Sequence, residues 1–193
     1  MIVVTTPMCK QIVEWAGLKE FKVNKFPDEE EGDLAILLSE SKVKMNSLTL
    51  KLNTFSQIRE SILKVSNYCF EHDLTDHLLS DDDIDDIFSS YDLKYANLGD
   101  DDFDKIRESN SNKKVKVYSE FLKDIVLDIG ALVVDEDYSY VVYPDYLKDI
   151  VDKNEDFTDS SIVFIEMPSH GKVSKNPLER TEERYSILIN SLI

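Results

Sequence analysis

The residue of this sequence best suited to chemistry is Cys9, in the run Thr5-Thr6-Pro7-Met8-Cys9-Lys10. Proline is favoured at the first position of a helix and threonine just before it, so Thr6 is expected to cap a helix that Pro7 opens. Cys9 then takes the third position, where free backbone N–H groups and the positive end of the helix dipole favour a thiolate. Lys10 adds a positive charge, and thiolates in such surroundings form the reactive class of cysteine. A sulfur of this kind attacks an activated carboxyl group and holds it as a thioester, while the same amides receive the developing oxyanion. The plainer alternative is that Cys9 is a small buried hydrophobe packing the helix on the preceding strand. Cys69 continues an apolar helical face and is read as packing only.

A second polar run is Pro168-Ser169-His170-Gly171-Lys172. Ser169, His170 and Lys172 offer hydrogen-bond donors, and Gly171 lets the backbone come close to a ligand. His170 can move a proton or hold a phosphate or carboxylate; otherwise it is a solvated loop histidine. Arg180 and Arg184, one helical turn apart, are either an anion site or the salt-bridge partners of Glu179, Glu182 and Glu183.

These runs must be positioned by regular elements. Ile2 to Thr5 is short, β-branched and apolar, and the segment after it carries Ile12, Val13 and Trp15 before Gly17, which together make half of a βαβ unit. Further strands are expected at 21–24, at 34–38 and, by alternation of Leu48, Leu50 and Leu52, at 48–52. Phe55, Ile58, Ile62, Val65 and Cys69 then keep helical spacing, with Asn53, Thr54 or Ser56 as the cap. Residues 72–114 change character, with aspartate runs at 81–83, 85–86 and 100–102 between short amphipathic stretches, and are expected to form a helical insertion or lid ending in a loop at 110–114. A helix at 117–129 stopped by Gly130, strands at 131–134, 138–143 and 162–165, and a short helix at 146–151 follow. The last helix is opened by Asn176, Pro177 and Glu179.

The pattern predicts a single α/β domain over residues 1–193: three layers, a mostly parallel or mixed sheet with helices on both faces, and the acidic insertion at 72–114. No internal repeat is evident. Ligands of such sheets bind beyond the carboxyl ends of the strands. Thr5, Thr6, Lys10, Ser169, His170 and Lys172 are therefore the candidate ligand-binding residues, with Cys9 the candidate nucleophile.

Net charge is −17, from 39 acidic and 22 basic residues, which disfavours nucleic acid and membrane surfaces as partners. A small anionic ligand remains compatible, because local lysines and helix starts act at short range. Two cysteines, no secretory leader and no apolar run of roughly 18 residues point to a cytoplasmic protein with no membrane span. The aspartate runs lack the glycine and distal glutamate of a calcium loop, and His72 and His77 lack a third ligand for zinc. Glycine-rich phosphate loops, dinucleotide fingerprints and serine elbows are absent. No metal and no tightly bound cofactor are expected.

The start Val3-Val4-Thr5-Thr6-Pro7-Met8-Cys9-Lys10 resembles the HcgF family of methanogenic archaea, which helps build the iron-guanylylpyridinol (FeGP) cofactor of [Fe]-hydrogenase. The resemblance implies a cofactor-biosynthesis protein whose cysteine, here Cys9, takes an adenylylated guanylylpyridinol carboxyl group as a thioester by acyl transfer. It also implies a partner enzyme that supplies the activated precursor; a homo-oligomer is left open. Two other readings compete: a non-catalytic binding module for a small anionic or nucleotide-like ligand, and an interaction protein that uses its acidic segment on a basic partner.

Overall fold

A computed structural model describes residues 1–155, 159–169 and 171–192. It divides into two compact units, Met1–Asp92 with Lys175–Glu179 and Leu93–Ser174 with Arg180–Ile193.

The first unit is built on strands β1 (Val3–Thr5), β2 (Lys22–Val23), β3 (Leu34–Leu38) and β4 (Ser47–Leu50), in the order β2-β1-β3-β4. All pairs are parallel, with Val3, Val4 and Thr5 opposite Leu34, Ala35 and Ile36. Val4, Ala35, Ile36 and Leu37 are fully buried, the continuous apolar run expected of central strands in a parallel sheet. Helix α1 (Lys10–Trp15) follows β1, and α2 (Phe55–Glu71) follows β4. Thr54 caps α2, its hydroxyl accepting from Gln57 N at 3.2 Å. Helix α3 (Asp81–Ser89) has a capping box in which Ser80 and Asp83 bond each other's backbone.

The second unit repeats this plan. Strands β5 (Lys114–Val117), β6 (Leu132–Val133), β7 (Tyr140–Pro144) and β8 (Val163–Met167) stand in the order β6-β5-β7-β8, again all parallel. Helix α4 (Asp100–Asn110) precedes β5, α5 (Glu120–Asp128) follows it, and α6 (Lys148–Asn154) follows β7. The last helix, α7 (Pro177–Ser191), starts on Asn176, whose side-chain oxygen accepts from Leu178 N at 2.9 Å. The helices after β1 and β5 end alike: Gly17 and Gly130 both take φ of 87°, a left-handed stop that glycine adopts without steric cost.

The α/β class and the parallel strands stand, but the strands form two sheets rather than one, with the same strand order in each. The 72–114 stretch holds α3 and α4, which fall in different units. Its aspartate runs are helix starts: Asp81, Asp82 and Asp83 fill the first turn of α3, and Asp100, Asp101 and Asp102 that of α4, where negative charge meets the positive dipole end. The largest correction is β5, an interior strand of its sheet, where a loop and the start of a helix were expected. Lys114 and Lys116 alternate with Val115 and Val117 in it, and two lysines in so short a run disguise a strand. Lys116 is admitted because its ammonium lies 2.6 Å from Oε1 of Glu155, whose side chain is 2 % exposed. Tyr118 bonds the same oxygen, and Tyr138 donates to Oε2 at 2.5 Å. Among the described residues no helix is long and apolar enough to cross a membrane.

Candidate functional site

In the first unit the Thr5 to Lys10 run does not form the expected thiolate site. Helix α1 begins at Lys10, and Cys9 stands before it as the N-cap, with its N–H donating to Thr6 O at 3.0 Å. Cys9 is 0 % exposed, so no solvent-borne carboxyl group reaches its sulfur in this conformation. Thr5 is equally buried, and its hydroxyl donates to Ile36 O at 2.8 Å, a bond between neighbouring strands. Thr6 is half-buried and gives its carbonyl to the turn; Lys10 is exposed and lies 3.4 Å from Glu14. Cys69 is buried in α2, and burial pushes its thiol up to about 11, in keeping with a packing role.

The second unit gathers more chemistry at the carboxyl edge of its sheet. β7 ends at Pro144, and Asp145 opens a short 3-10 turn, Asp145–Leu147. Ser169 and Lys172, in the loop after β8, converge on that aspartate. Lys172 Nζ donates to Asp145 Oδ2 at 2.7 Å and Ser169 Oγ to the same oxygen at 3.3 Å. The Lys172 ammonium holds the Asp145 carboxyl below its ordinary range, burial opposing and the Ser169 hydroxyl and backbone N–H assisting. The Asp145 side chain is only 9 % exposed, whereas that of Lys172 is 68 % exposed. The other oxygen, Oδ1, is buried without a hydrogen-bond partner among the described residues. Sequence reasoning found Ser169 and Lys172 but missed the carboxylate between them, whose only signal was an acidic residue directly after a strand's closing Tyr-Pro. His170 lies outside the described residues.

Arg180 and Arg184 project from one face of α7 and are 1 % and 0 % exposed. Arg180 Nη1 donates to Ser174 O at 3.3 Å, and the Arg184 guanidinium carbon stands 4.7 Å from the centre of the Phe121 ring. Burial, followed by the charge of Arg180, lowers Arg184 to about 10, with Glu183 and Tyr146 acting in the opposite sense. Glu182, one of the salt-bridge partners expected for these arginines, instead accepts from Tyr95 N and Ala96 N at 2.9 to 3.0 Å.

Among the described residues no three His, Cys, Asp or Glu side chains are grouped to hold a metal ion. His72 stacks on Tyr68 with ring centres 4.0 Å apart, and His77 lies 3.4 Å from Asp83. A groove of about 840 Å³ opens in the first unit, lined in part by Met1, Lys19, Asp73 and His77. Those residues precede strands or follow helices, which puts the groove at the amino edge of the sheet, away from the strand-to-helix loops.

No protein-family model matches the chain, and no curated protein matches it significantly. Solved structures do. The chain is similar to the Zn(II)-bound AdcAII variant of Streptococcus pneumoniae, at a TM-score of 0.58 and 12 % identity over 100 % of this chain and 99 % of that one. It is similar to the metal-dependent lipoprotein YcdH of Bacillus subtilis, at 0.55 and 10 % identity over the whole of both chains. A periplasmic metal binding protein from candidatus liberibacter asiaticus gives 0.57 and 7 % identity over 100 % and 99 %.

These likenesses overturn the resemblance to HcgF, which rested on eight residues, whereas the shared architecture runs the length of the chain. The guanylylpyridinol thioester chemistry goes with it, as the burial of Cys9 already required. The cytoplasmic placement is corrected too, since the proteins sharing the fold include one described as periplasmic and one as a lipoprotein. At identities of 7 to 12 %, the comparisons establish that this chain has the fold of those metal-binding proteins.

Proposed function

We propose that this protein is a non-catalytic binding protein for a small solute and that the solute is an anion. The first half is supported by the fold, which several proteins named for metal binding share, and by the polar loops at the carboxyl edge of the second sheet. The anionic character is carried by the Arg180 and Arg184 pair. Two buried guanidiniums one helical turn apart concentrate positive charge on one face of α7, in a chain of net charge −17. An oxyanion matches the planar donor fork of arginine. A divalent cation does the reverse: it requires several anionic or imidazole ligands in one place and meets the repulsion of this pair.

The test is thermal unfolding of the full chain with sodium phosphate, sodium sulfate or zinc chloride. At a concentration 100 times its Kd, a bound anion stabilises the native state by about 2.7 kcal/mol, which raises the Tm, and Arg184→Gln loses most of that gain. A rise with zinc and with neither anion would reject the reading, and the wild-type titrations decide the matter even if the variant folds poorly.

A further inference from the structure

We propose that Tyr118, Tyr138 and Glu155 of the second unit form a binding site for a primary ammonium, which the chain keeps filled with its own Lys116, so that a free amine enters only by displacing that lysine. The site shares no residue with the arginine pair, and it stands whether or not the chain binds an anion.

Three places in the unit supply the set. Lys116 lies in β5 and Tyr118 just beyond it, two residues apart and so on one face of the sheet. Tyr138 stands two residues before β7, and Glu155 closes α6, its N–H donating to Val151 O at 2.8 Å. The Lys116 ammonium is 2.6 Å from Glu155 Oε1, 4.9 Å from the centre of the Tyr138 ring and 5.5 Å from that of Tyr118. A cation set against two aromatic rings and a carboxylate is held as proteins hold ammonium ligands. The bond to Glu155, with burial opposing, keeps the ammonium above its ordinary range, so Lys116 is present as a cation and not as a base or nucleophile.

The walls do not depend on the lysine. Tyr118 and Tyr138 pack against the buried cluster of Val141, Tyr143 and Val151. Their hydroxyls donate to the two oxygens of Glu155, that of Tyr138 at 2.5 Å. Removal of the Lys116 side chain therefore leaves a carboxylate, its side chain only 2 % exposed, facing the place of a lost charge. The lysine itself is 27 % exposed, so water reaches the site along its stem. A contact of 2.6 Å needs an N–H on the nitrogen and leaves no room for a methyl group, which selects a primary ammonium over a quaternary one. Tethered to β5, Lys116 competes with any free amine at high effective concentration, and this closes the wild-type site.

The experiment is calorimetric titration of the full chain with n-propylammonium chloride and with tetramethylammonium chloride at pH 7 and equal ionic strength, for wild type and Lys116→Ala. Lys116→Ala is expected to bind propylammonium saturably, about tenfold or more tightly than wild type does, and to rise in Tm with it, while tetramethylammonium binds neither protein. No saturable binding to Lys116→Ala, equal binding to both proteins, or equal binding of the two cations would overturn the assignment. Should Lys116→Ala be unfolded by itself, it is expected to refold from urea in propylammonium and not in tetramethylammonium, and failure to do so overturns the assignment equally.

Discussion

Cys9 stands eight residues ahead of Gly17, and Leu122 eight residues ahead of Gly130, the two glycines that end corresponding helices with the same φ of 87°. Both side chains are 0 % exposed, so the second unit places an ordinary hydrophobe where the first places its cysteine. The reactive reading drew on helix-start electrostatics, which the local run does encode, but burial is decided by what packs from elsewhere in the chain. Asp145 shows the same limit from the other side, since the loop that satisfies one of its oxygens lies more than twenty residues away. Glu155 gives a prediction at this scale. Burial raises its carboxyl, but Lys116, Tyr118 and Tyr138 outweigh that and hold it below the ordinary value. Its native form therefore binds a proton less readily than the unfolded form. The stability it contributes is complete above the usual glutamate range, near about 4.3, and is lost as pH falls through the lower native value. Glu155→Gln is expected to cost about 3 kcal/mol at pH 7 and to flatten the acid limb of stability in urea titrations across pH. The Tyr118 phenol, raised to about 12 by burial and by Glu155, should drop toward the ordinary phenol value in the variant's ultraviolet titration.

Helices were legible from their ends. Thr54 caps α2 and Asn176 opens α7 as local residue types predict, because a cap is satisfied within three residues of chain. Strands expected at 34–38 and 138–143 were legible, the second running Tyr140–Pro144, because they are apolar on both faces, whereas β5 was not, because its Lys116 is neutralised by Glu155 some forty residues later. The paired glycines separate backbone cost from packing cost. A Cβ on Gly17 would meet nothing closer than Thr75 Oγ1 at 3.4 Å, but on Gly130 it would lie 2.5 Å from Arg107 O and 2.6 Å from Arg107 Cα. Gly17→Ala is therefore expected to cost about 1 kcal/mol, the left-handed penalty alone. Gly130→Ala adds a collision with the backbone of α4, where Arg107 is held by bonds to Asp104 and Asp128, and should cost at least twice as much in the same urea assay.

At the scale of the whole molecule the sequence disclosed the class and hid the partition. Strand signals are local, but membership of a sheet is set by pairing, and nothing in the 21–52 or 114–167 runs states that β3 meets β1 while β7 meets β5. The shared plan is hidden for a related reason: the two units have the same strand order and similar helix stops but few residue types in common. The assignment of the final helix has a practical outcome. Lys175–Glu179 belong with the first 92 residues, while the rest of α7 belongs with the other unit. A gene severed after Asp92 would thus yield one polypeptide lacking a piece of its own structure and another bearing that piece as a surplus. Expressed alone, the 1–92 fragment should show weak, broad melting by circular dichroism. Mixed with the 93–193 fragment, which carries Lys175–Glu179, it should regain a cooperative transition.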